Sequence, residues 1–478
     1  MRALLICSNG LFSQPQWRIV IDTLSLSSPE AKIKRLNFEN DLLHFENYKK
    51  SFLPSVSLNI SPLSFNRSIV KLQQATDGQY NYVEDYSSNS SVGISVQQKL
   101  PFTGGTLSAN TNLNYLSELS QNRHSFSATP FAISYSQKLF GERRIMDMEK
   151  TIEYKKHEEN LKNYCKSLSE IQQRALSLFM NAFLSSLEKS LSSSNRLATD
   201  SLLSIAKVRY KNNRIKELDF KQIELQATKN EFLEHNAKKK HEDAIKSLFI
   251  YLGILENNND VCIETPVFTL PLQILLEKVK YFIENNNPAI LNRDIRRLEA
   301  QKNLYSSELQ NRFNANINLS YGMNQFARNL AKVYSNPSMQ QSVSIGFSIP
   351  FSLWGINRNK AQIAKNNYNS FVISIEKEID EFENEINKTV NDYNHNVNLW
   401  LISERSYNLA REQYTLTVQE FALGRASAYE LIASQQEQFT SLQNYYNEVR
   451  TAYESYFKLS EMTLYDFENE IELIEIFL

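Results

Sequence analysis

Apolar positions between Gly355 and Tyr465 recur in steps of three, four and seven. They run Ala361, Ala364, Tyr368, Phe371, Ile375, Phe382, Ile386, Tyr393, Val397, Trp400, Tyr407, Ala410, Tyr414 and Phe421. That spacing is the seam of a coiled coil rather than the broader face of a globular helix. No proline interrupts the arm, and Gly424 stands where a helix C-terminus is expected. A return arm carries Leu431, Gln435, Gln438, Leu442, Tyr445, Val449, Ala452, Tyr456 and Leu459 in alternating fours and threes. An arm of roughly 70 residues is on the order of 100 Å long. Such a hairpin cannot bury its seams alone, so neighbours are expected from elsewhere in the chain and from other copies of it.

The first half of the chain has the same plan. Pro29 to Phe52 reads as a helix with Ile33, Leu36, Leu43 and Tyr48 on its apolar side, stopped by Pro54. Period-two alternation then predicts strands through Val56, Leu58 and Ile60; through Val92, Ile94, Val96 and Leu100; through Leu107, Ala109, Thr111, Leu113 and Tyr115; and through Phe131, Ile133, Tyr135 and Leu139. Residues 64–91 read as a long polar loop, and Pro101–Gly105 as a turn. A second long helix opens at Phe140-Gly141-Glu142, with its seam at Leu161, Tyr164, Leu168, Ile171, Ala175, Leu178 and Ala182. It reaches Tyr210, then Asn212-Asn213, and a return helix runs from Ile215 to Leu252.

After an irregular stretch and a short helix, Leu272 to Glu284, the plan repeats. Ala289 to Gln310 is a helix; Phe313, Ala315, Ile317, Leu319 and Tyr321 mark a strand; residues 322–341 are polar; Val343, Ile345, Phe347 and Ile349 mark the returning strand. This is a tandem repeat with a period near half the chain. The expected partition is a signal-like segment at 1–14 and a first repeat at 15–255, with strands at 53–139 and a helical hairpin at 141–253. A belt follows at 256–288, then a second repeat at 289–467, with strands at 312–350 and a hairpin at 355–465. A C-terminal tail closes the chain at 468–478.

Composition narrows the class. Among 478 residues, 11 Gly and 11 Pro agree with long uninterrupted helices. The net charge of -1 removes the electrostatic footprint of a nucleic-acid binder. Mean hydropathy is -0.43, and no run of about 18 apolar residues offers a transmembrane helix. A membrane β-barrel escapes that test, because its strands are only half apolar. Here the partner face of each strand is small and polar (Ser57, Asn59, Asn314, Asn316, Asn318), and long helices follow the strands directly. Soluble sandwiches also alternate. Residues 1–14 carry one positive charge and an apolar run, as a short secretory signal would; the alternative is an ordinary frayed terminus. Cys7 is a weak lipidation candidate. With Cys165 and Cys262 it gives no disulfide framework and no metal-ligand spacing.

No catalytic constellation stands out. The histidines (His44, His124, His157, His235, His241 and His395) form no pair with zinc-site spacing and read as solvent-exposed helical residues. No glycine-rich phosphate loop occurs. No enzyme activity, cofactor or metal is expected. The readings that compete are an outer-membrane export duct, a soluble coiled-coil scaffold or tether, and an enzyme with helical insertions.

The order helix, strands, long helix, tip, half helix, belt, and the same again, resembles the TolC-type outer-membrane efflux proteins. The cues are Ser-Gln-Lys-Leu-Phe-Gly at 136–141, Val343 to Trp354, and the tip Phe421-x-x-Gly424 with Tyr429-Glu430-Leu431 and Gln435 after it. Leu252-Gly253 before the belt is a further cue. The resemblance covers essentially the whole chain after the signal. It implies a mainly α fold with β: two tandem helical hairpins plus antiparallel strands that help close a trimeric transmembrane β-barrel. It further implies a homotrimer in outer-membrane lipid with a periplasmic extension. An adaptor and an inner-membrane transporter would dock at the tunnel's inner end, and drugs, other small molecules or proteins would leave through it.

At the tips, the resemblance makes Glu430 and Asp219 candidates for a periplasmic constriction. A second acidic position of the family falls at Ala433 and its basic tip residue at Ala426, with Arg425 and Arg214 one residue earlier. A carboxylate at a helix N-terminus also has a dipole explanation. Asn213, Arg214, Leu423, Gly424, Arg425 and Ala426 are candidates for adaptor docking. Tyr115, Phe131, Phe313 and Tyr321 are candidates for membrane-interface girdles. One departure stands out: the family pattern has two strands per half, whereas four are read in the first half here. The hairpin at Pro101–Gly105 is expected to lie outside the barrel wall, with the strand count open.

Overall fold

The computed structural model describes residues 16–73, 80–119, 122–213, 215–254, 263, 269–310, 313–348, 355–423 and 425–477. The chain opens with α1 (Gln16–Arg18), a π-helical segment Ile19–Leu24 and a 3-10 turn Ser25–Ser27. Then follow α2 (Pro29–Lys50), β1 (Ser55–Gln73), β2 (Tyr80–Lys99), β3 (Thr106–Glu118), β4 (Arg123–Lys138), α3 (Glu142–Lys211) and α4 (Glu217–Leu252). The second half holds α5 (Leu276–Asn286), α6 (Pro288–Gln310), β5 (Asn314–Ala327), β6 (Ser338–Ser348), α7 (Ile356–Ala422) and α8 (Ala428–Thr463). It closes with β7 (Tyr465–Asp466), β8 (Ile471–Glu472) and α9 (Leu473–Phe477). The fold is mainly helical, with antiparallel strands in two repeats. It divides into two compact units, neither of which is one repeat: Met1–Asn40, Glu159–Ile290 and Lys377–Leu478 form one, Asp41–Glu158 and Leu291–Glu376 the other.

The second unit holds one antiparallel sheet in the order β1-β2-β3-β4-β5-β6. The hairpin turning at Pro101–Gly105, expected apart from the wall strands, is hydrogen-bonded within the sheet: β2 and β3 pair from Ser87/Glu118 to Lys99/Thr106. The polar loops are also shorter than expected. β1 and β2 run on as a ladder to Gln73/Tyr80, and β5 and β6 to Asn324/Ser338. The ladder is held by backbone hydrogen bonds, which polar residues satisfy as well as apolar ones, so a reading keyed to apolar alternation stops too early. Cross-strand contacts support these polar extensions: Asn66 Nδ2 donates to Asp85 Oδ2 (2.8 Å), and Phe65 meets the ring of Tyr86 edge-on at 5.3 Å. Pro62 and Pro130 lie in register breaks of β1 and β4, where a residue without an N–H breaks no ladder bond.

Each repeat passes from strand to long helix through a glycine with left-handed backbone, Gly141 (φ 82°) and Gly355 (φ 84°). In this unit Phe45 of α2 stacks on His157 of α3 at 4.1 Å. Lys155–Asp294 (2.7 Å) and Lys156–Glu299 (2.8 Å) tie α3 to α6.

The core of the first unit lies where the two helical hairpins meet the start and end of the chain. Trp17, Val20 and Ile21 enter a cluster with Leu176, Phe179 and Met180 of α3, Leu248 and Phe249 of α4, Tyr393 and Val397 of α7, and Val449, Tyr453 and Leu459 of α8. These include the inner part of the expected seams, which the structure buries. Hydroxyls at the edge of this core find partners on the chain around Pro271: Tyr453 donates to Thr269 O (2.9 Å), and Tyr393 donates to Pro271 O. Residues 468–478 include β8 and α9, with Leu473 buried against Cys165 and Leu464. Arg18 pairs with Glu468.

Helix α2 departs from expectation. Ala31 is buried against Leu168 and Ile171, and Phe38 stacks on Tyr164 at 4.4 Å. The stripe expected to pack, Ile33, Leu36 and Leu43, is 54–59% exposed. The helix carries two apolar stripes about two residues out of phase, and periodicity alone does not say which meets the chain's own partner.

Candidate functional site

The sheet separates two chemistries across all six strands. Following the register, Val56 faces Val96, which faces Ala109, then Ile133, Tyr321 and Gln341. One row over, Leu58, Ile94 and Thr111 lie side by side, and Leu319 faces Val343. This face is open: Leu58 is 61% exposed, Ile94 44%, Ile133 38% and Val343 73%. The opposite face carries Ser57, Ser95, Asn110, Ala132, Gly322 and Gln340 in register. Its hydroxyls bond across strands, as in Ser57–Ser95 (2.6 Å) and Ser108–Ser134 (2.7 Å). Side chains alternate because successive Cβ atoms point to opposite sides of a pleat. The edges β1 and β6 each pair on one side within the chain.

The four girdle candidates lie on this sheet or at its border. Tyr115 faces Phe126, with ring centroids 5.0 Å apart. Phe131 faces Met323, and Tyr321 faces Ile133. Phe313 stacks on Phe347 at 5.5 Å and meets Phe140 at 5.8 Å, near the strand ends where the helices begin.

The tips of the helical hairpins are in the other unit. Asn213 takes left-handed backbone (φ 54°), which ends α3. Arg214 and Gly424 lie outside the described residues, as does the Asp219 side chain in the first turn of α4. Ser427 caps α8: its Oγ accepts from the Glu430 N–H (3.2 Å), and the Glu430 carboxylate accepts from the Ser427 N–H (2.6 Å) and Oγ–H (2.9 Å). These hydrogen bonds hold the Glu430 carboxyl below its usual range. The residue is therefore engaged with the helix N-terminus while remaining exposed. Leu423 and Arg425 are exposed; the backbone N–H groups of Arg425 and Ala426 both donate to Glu420 O, which fixes the turn.

Between α3 and α4 lies a set of polar contacts that no local pattern in the sequence marks. Glu234 accepts from Arg196 (2.6 Å) and Lys238 (3.1 Å), and its carboxyl is pushed down to about 2, chiefly by the Arg196 hydrogen bond. His241, expected on the solvent face, is buried, its Nδ1 3.2 Å from Ser185 Oγ. Burial lowers its pKa, with the Lys189 charge adding to the effect. An isolated histidine in a helical sequence gives no local signal of which face it takes. Among the described residues, no helix is long and apolar enough to cross a membrane.

No family model and no curated protein matches the sequence. Solved structures do match in fold. The CmeC outer membrane channel of Campylobacter jejuni superposes with TM-score 0.65 at 12% identity, over 96% of this chain and 90% of that one. The outer membrane protein VceC of Vibrio cholerae gives 0.63 at 11%, over 94% and 95%. The open MtrE outer membrane channel of Neisseria gonorrhoeae gives 0.53 at 14%, over 94% and 89%. The chain has the TolC-like fold of these channels along nearly its whole length.

Proposed function

We propose that this chain is an outer-membrane channel, the duct of a tripartite efflux or type I secretion system. Three copies pool their strands in one barrel through outer-membrane lipid, and their helices continue it across the periplasm. The observation that carries this reading is the sheet: an open apolar face on all six strands backed by serine and asparagine. In water such a face would be a large uncovered hydrophobic surface; against lipid it is the outer band of a barrel. The fold shared with solved outer-membrane channels supports it. So do the apolar stripes left open on α2 (Ile33, Leu36), α4 (Phe232, Leu233) and α7 (Leu409, Leu416), which second copies would cover.

In this reading the aromatics Tyr115, Phe131, Phe313 and Tyr321 sit at the membrane interfaces. The tips, at Asn213 and Arg214 and at Leu423 to Ala426, meet a periplasmic adaptor, behind which an inner-membrane transporter supplies cargo. Asp219 and Glu430 place carboxylates near the narrow inner end. The test is fractionation followed by native mass measurement and planar-bilayer recording. A trimer from the outer-membrane fraction that conducts ions is the expected result. A monomer in the soluble fraction would return the chain to the tether reading.

A further inference from the structure

Resting on that channel reading, we infer that three copies close an 18-stranded barrel, to which the β2–β3 hairpin contributes a full third of the wall. The exit is then about half again as wide as one built from two strands per repeat.

The first argument is chemical. β2 and β3 are built like the other four strands. Val92, Ile94 and Val96 continue the apolar rows of β1, and Ala109 and Leu113 continue them into β4. A detail of the polar face recurs too. Gly93 faces Asn112 in the added hairpin, and Gly346 faces Asn316 in the second repeat. At both, a Cβ would lie within 3.0 Å of the asparagine Oδ1. A hairpin lying off the wall would have no need to match its neighbours row for row on both faces.

The second argument is geometric. The hydrogen-bonded row that starts at Ser55 passes through Gln97, Ser108, Ser134, Ser320 and Ser342. At β1 the row begins at the strand's helix-proximal end; at β6 it is six residues above it, since that strand ends at Ser348. In between it rises steadily, two residues above the ends of β2 and β3, four at β4 and six at β5. Six residues at about 3.3 Å over five strand spacings of about 4.8 Å is a tilt of about 40°, inside the range of closed barrels. Six strands form an even set, so β6 of one copy runs antiparallel to β1 of the next. Setting Ser348 opposite Ser55 brings Phe347 against Val56, Ile345 against Leu58 and Val343 against Ile60, apolar against apolar on the outer face. With that closure the tilt is about 35° and the barrel about 35 Å between facing backbones, against about 23 Å for 12 strands at the same tilt. Most inward side chains through this band, such as Ser57, Asn59, Ser95, Asn112, Ser134 and Ser344, carry no charge; Lys99 and Lys138 stand in the same inward rows at the helix-proximal ends of β2 and β4. The exit is therefore wide, and does not sort cargo by fine size.

The test places a reporter on each strand. Cysteine variants Val92→Cys, Leu113→Cys, Ile133→Cys and Ile345→Cys are made with Cys7, Cys165 and Cys262 changed to Ala. Those that remain trimeric by native mass are labelled with bimane and placed in vesicles containing brominated phosphatidylcholine. All four losing fluorescence to the same extent is the expected result. Quenching at Ile133→Cys and Ile345→Cys without quenching at Val92→Cys and Leu113→Cys would overturn the 18-strand wall while leaving the channel intact. No quenching at any position would remove the membrane barrel and this inference with it. Electron cryo-microscopy of the unmodified trimer in nanodiscs decides independently of the variants: 18 strands around the rim supports the inference and 12 overturns it.

Discussion

The two strand-to-helix junctions offer a paired measurement. Gly141 and Gly355 have nearly the same backbone, φ 82° and 84°, in different surroundings. Among the described residues a Cβ at Gly355 would meet nothing within 4 Å, whereas one at Gly141 would lie 2.1 Å from Leu309 Cδ1 and 2.8 Å from Cδ2. Gly355→Ala should therefore lose the backbone preference alone, about 1–2 kcal/mol. Gly141→Ala should lose that plus the cost of pushing Leu309 aside, about 1–3 kcal/mol more. Leu309 ends in a flexible isobutyl group, which favours the lower part of that range. Urea titration of the detergent-solubilised protein, followed by far-UV circular dichroism, reads both variants. Adding Leu309→Ala completes a double-mutant cycle, whose interaction energy should equal the extra loss at Gly141. Equal losses at the two glycines, or a cycle with no interaction energy, would refute the steric account.

Four further outcomes are expected. Ser427→Ala should cost the α8 N-terminus about 1 kcal/mol and speed amide exchange in its first turn. Because the Glu430 carboxyl is depressed in the folded chain, its share of that cap is present above the ordinary carboxylate range and fades as pH falls through it, so first-turn protection should drop in acid. His241 is held neutral by burial, so its contribution to the α3–α4 hairpin is present above the ordinary imidazole value of 6.5 and is lost as pH falls below it. His241→Phe should flatten the pH dependence of thermal unfolding between roughly pH 7 and 5. Asp219→Ala with Glu430→Ala should weaken cation selectivity in planar-bilayer recordings; unchanged selectivity would remove the acidic ring from the tips.

Much of the architecture was legible in the chain. A coiled-coil seam and a pleated strand are local periodicities, and each survives in sequence without knowledge of its partner. Hence the seams through Ile171 and Ala175, and through Tyr393 and Val397, and the rows through Ile94 and Ile133, could be read residue by residue. The capping box at Ser427 and Glu430 is equally local, a serine followed three residues later by a glutamate. What stayed hidden depends on residues distant in sequence. The polar ends of β1 and β2 are strands because each supplies the other's hydrogen bonds, while 64–91 alone has the polar composition of a loop. His241 and Glu234 are polar residues on a helix, and α3 is what turns them inward.

By itself, then, the sequence determined periods: two long helical hairpins, six amphiphilic strands, and glycines at the turns between them. Tertiary structure alone decided neighbours: that the hairpin at Pro101–Gly105 joins the same sheet, and which stripe of α2 the chain covers itself. The physical reason is that period is written in the spacing of side chains along one segment. Pairing is chosen by the free energy of all segments together, through hydrogen-bond register and the apolar area each contact removes from water.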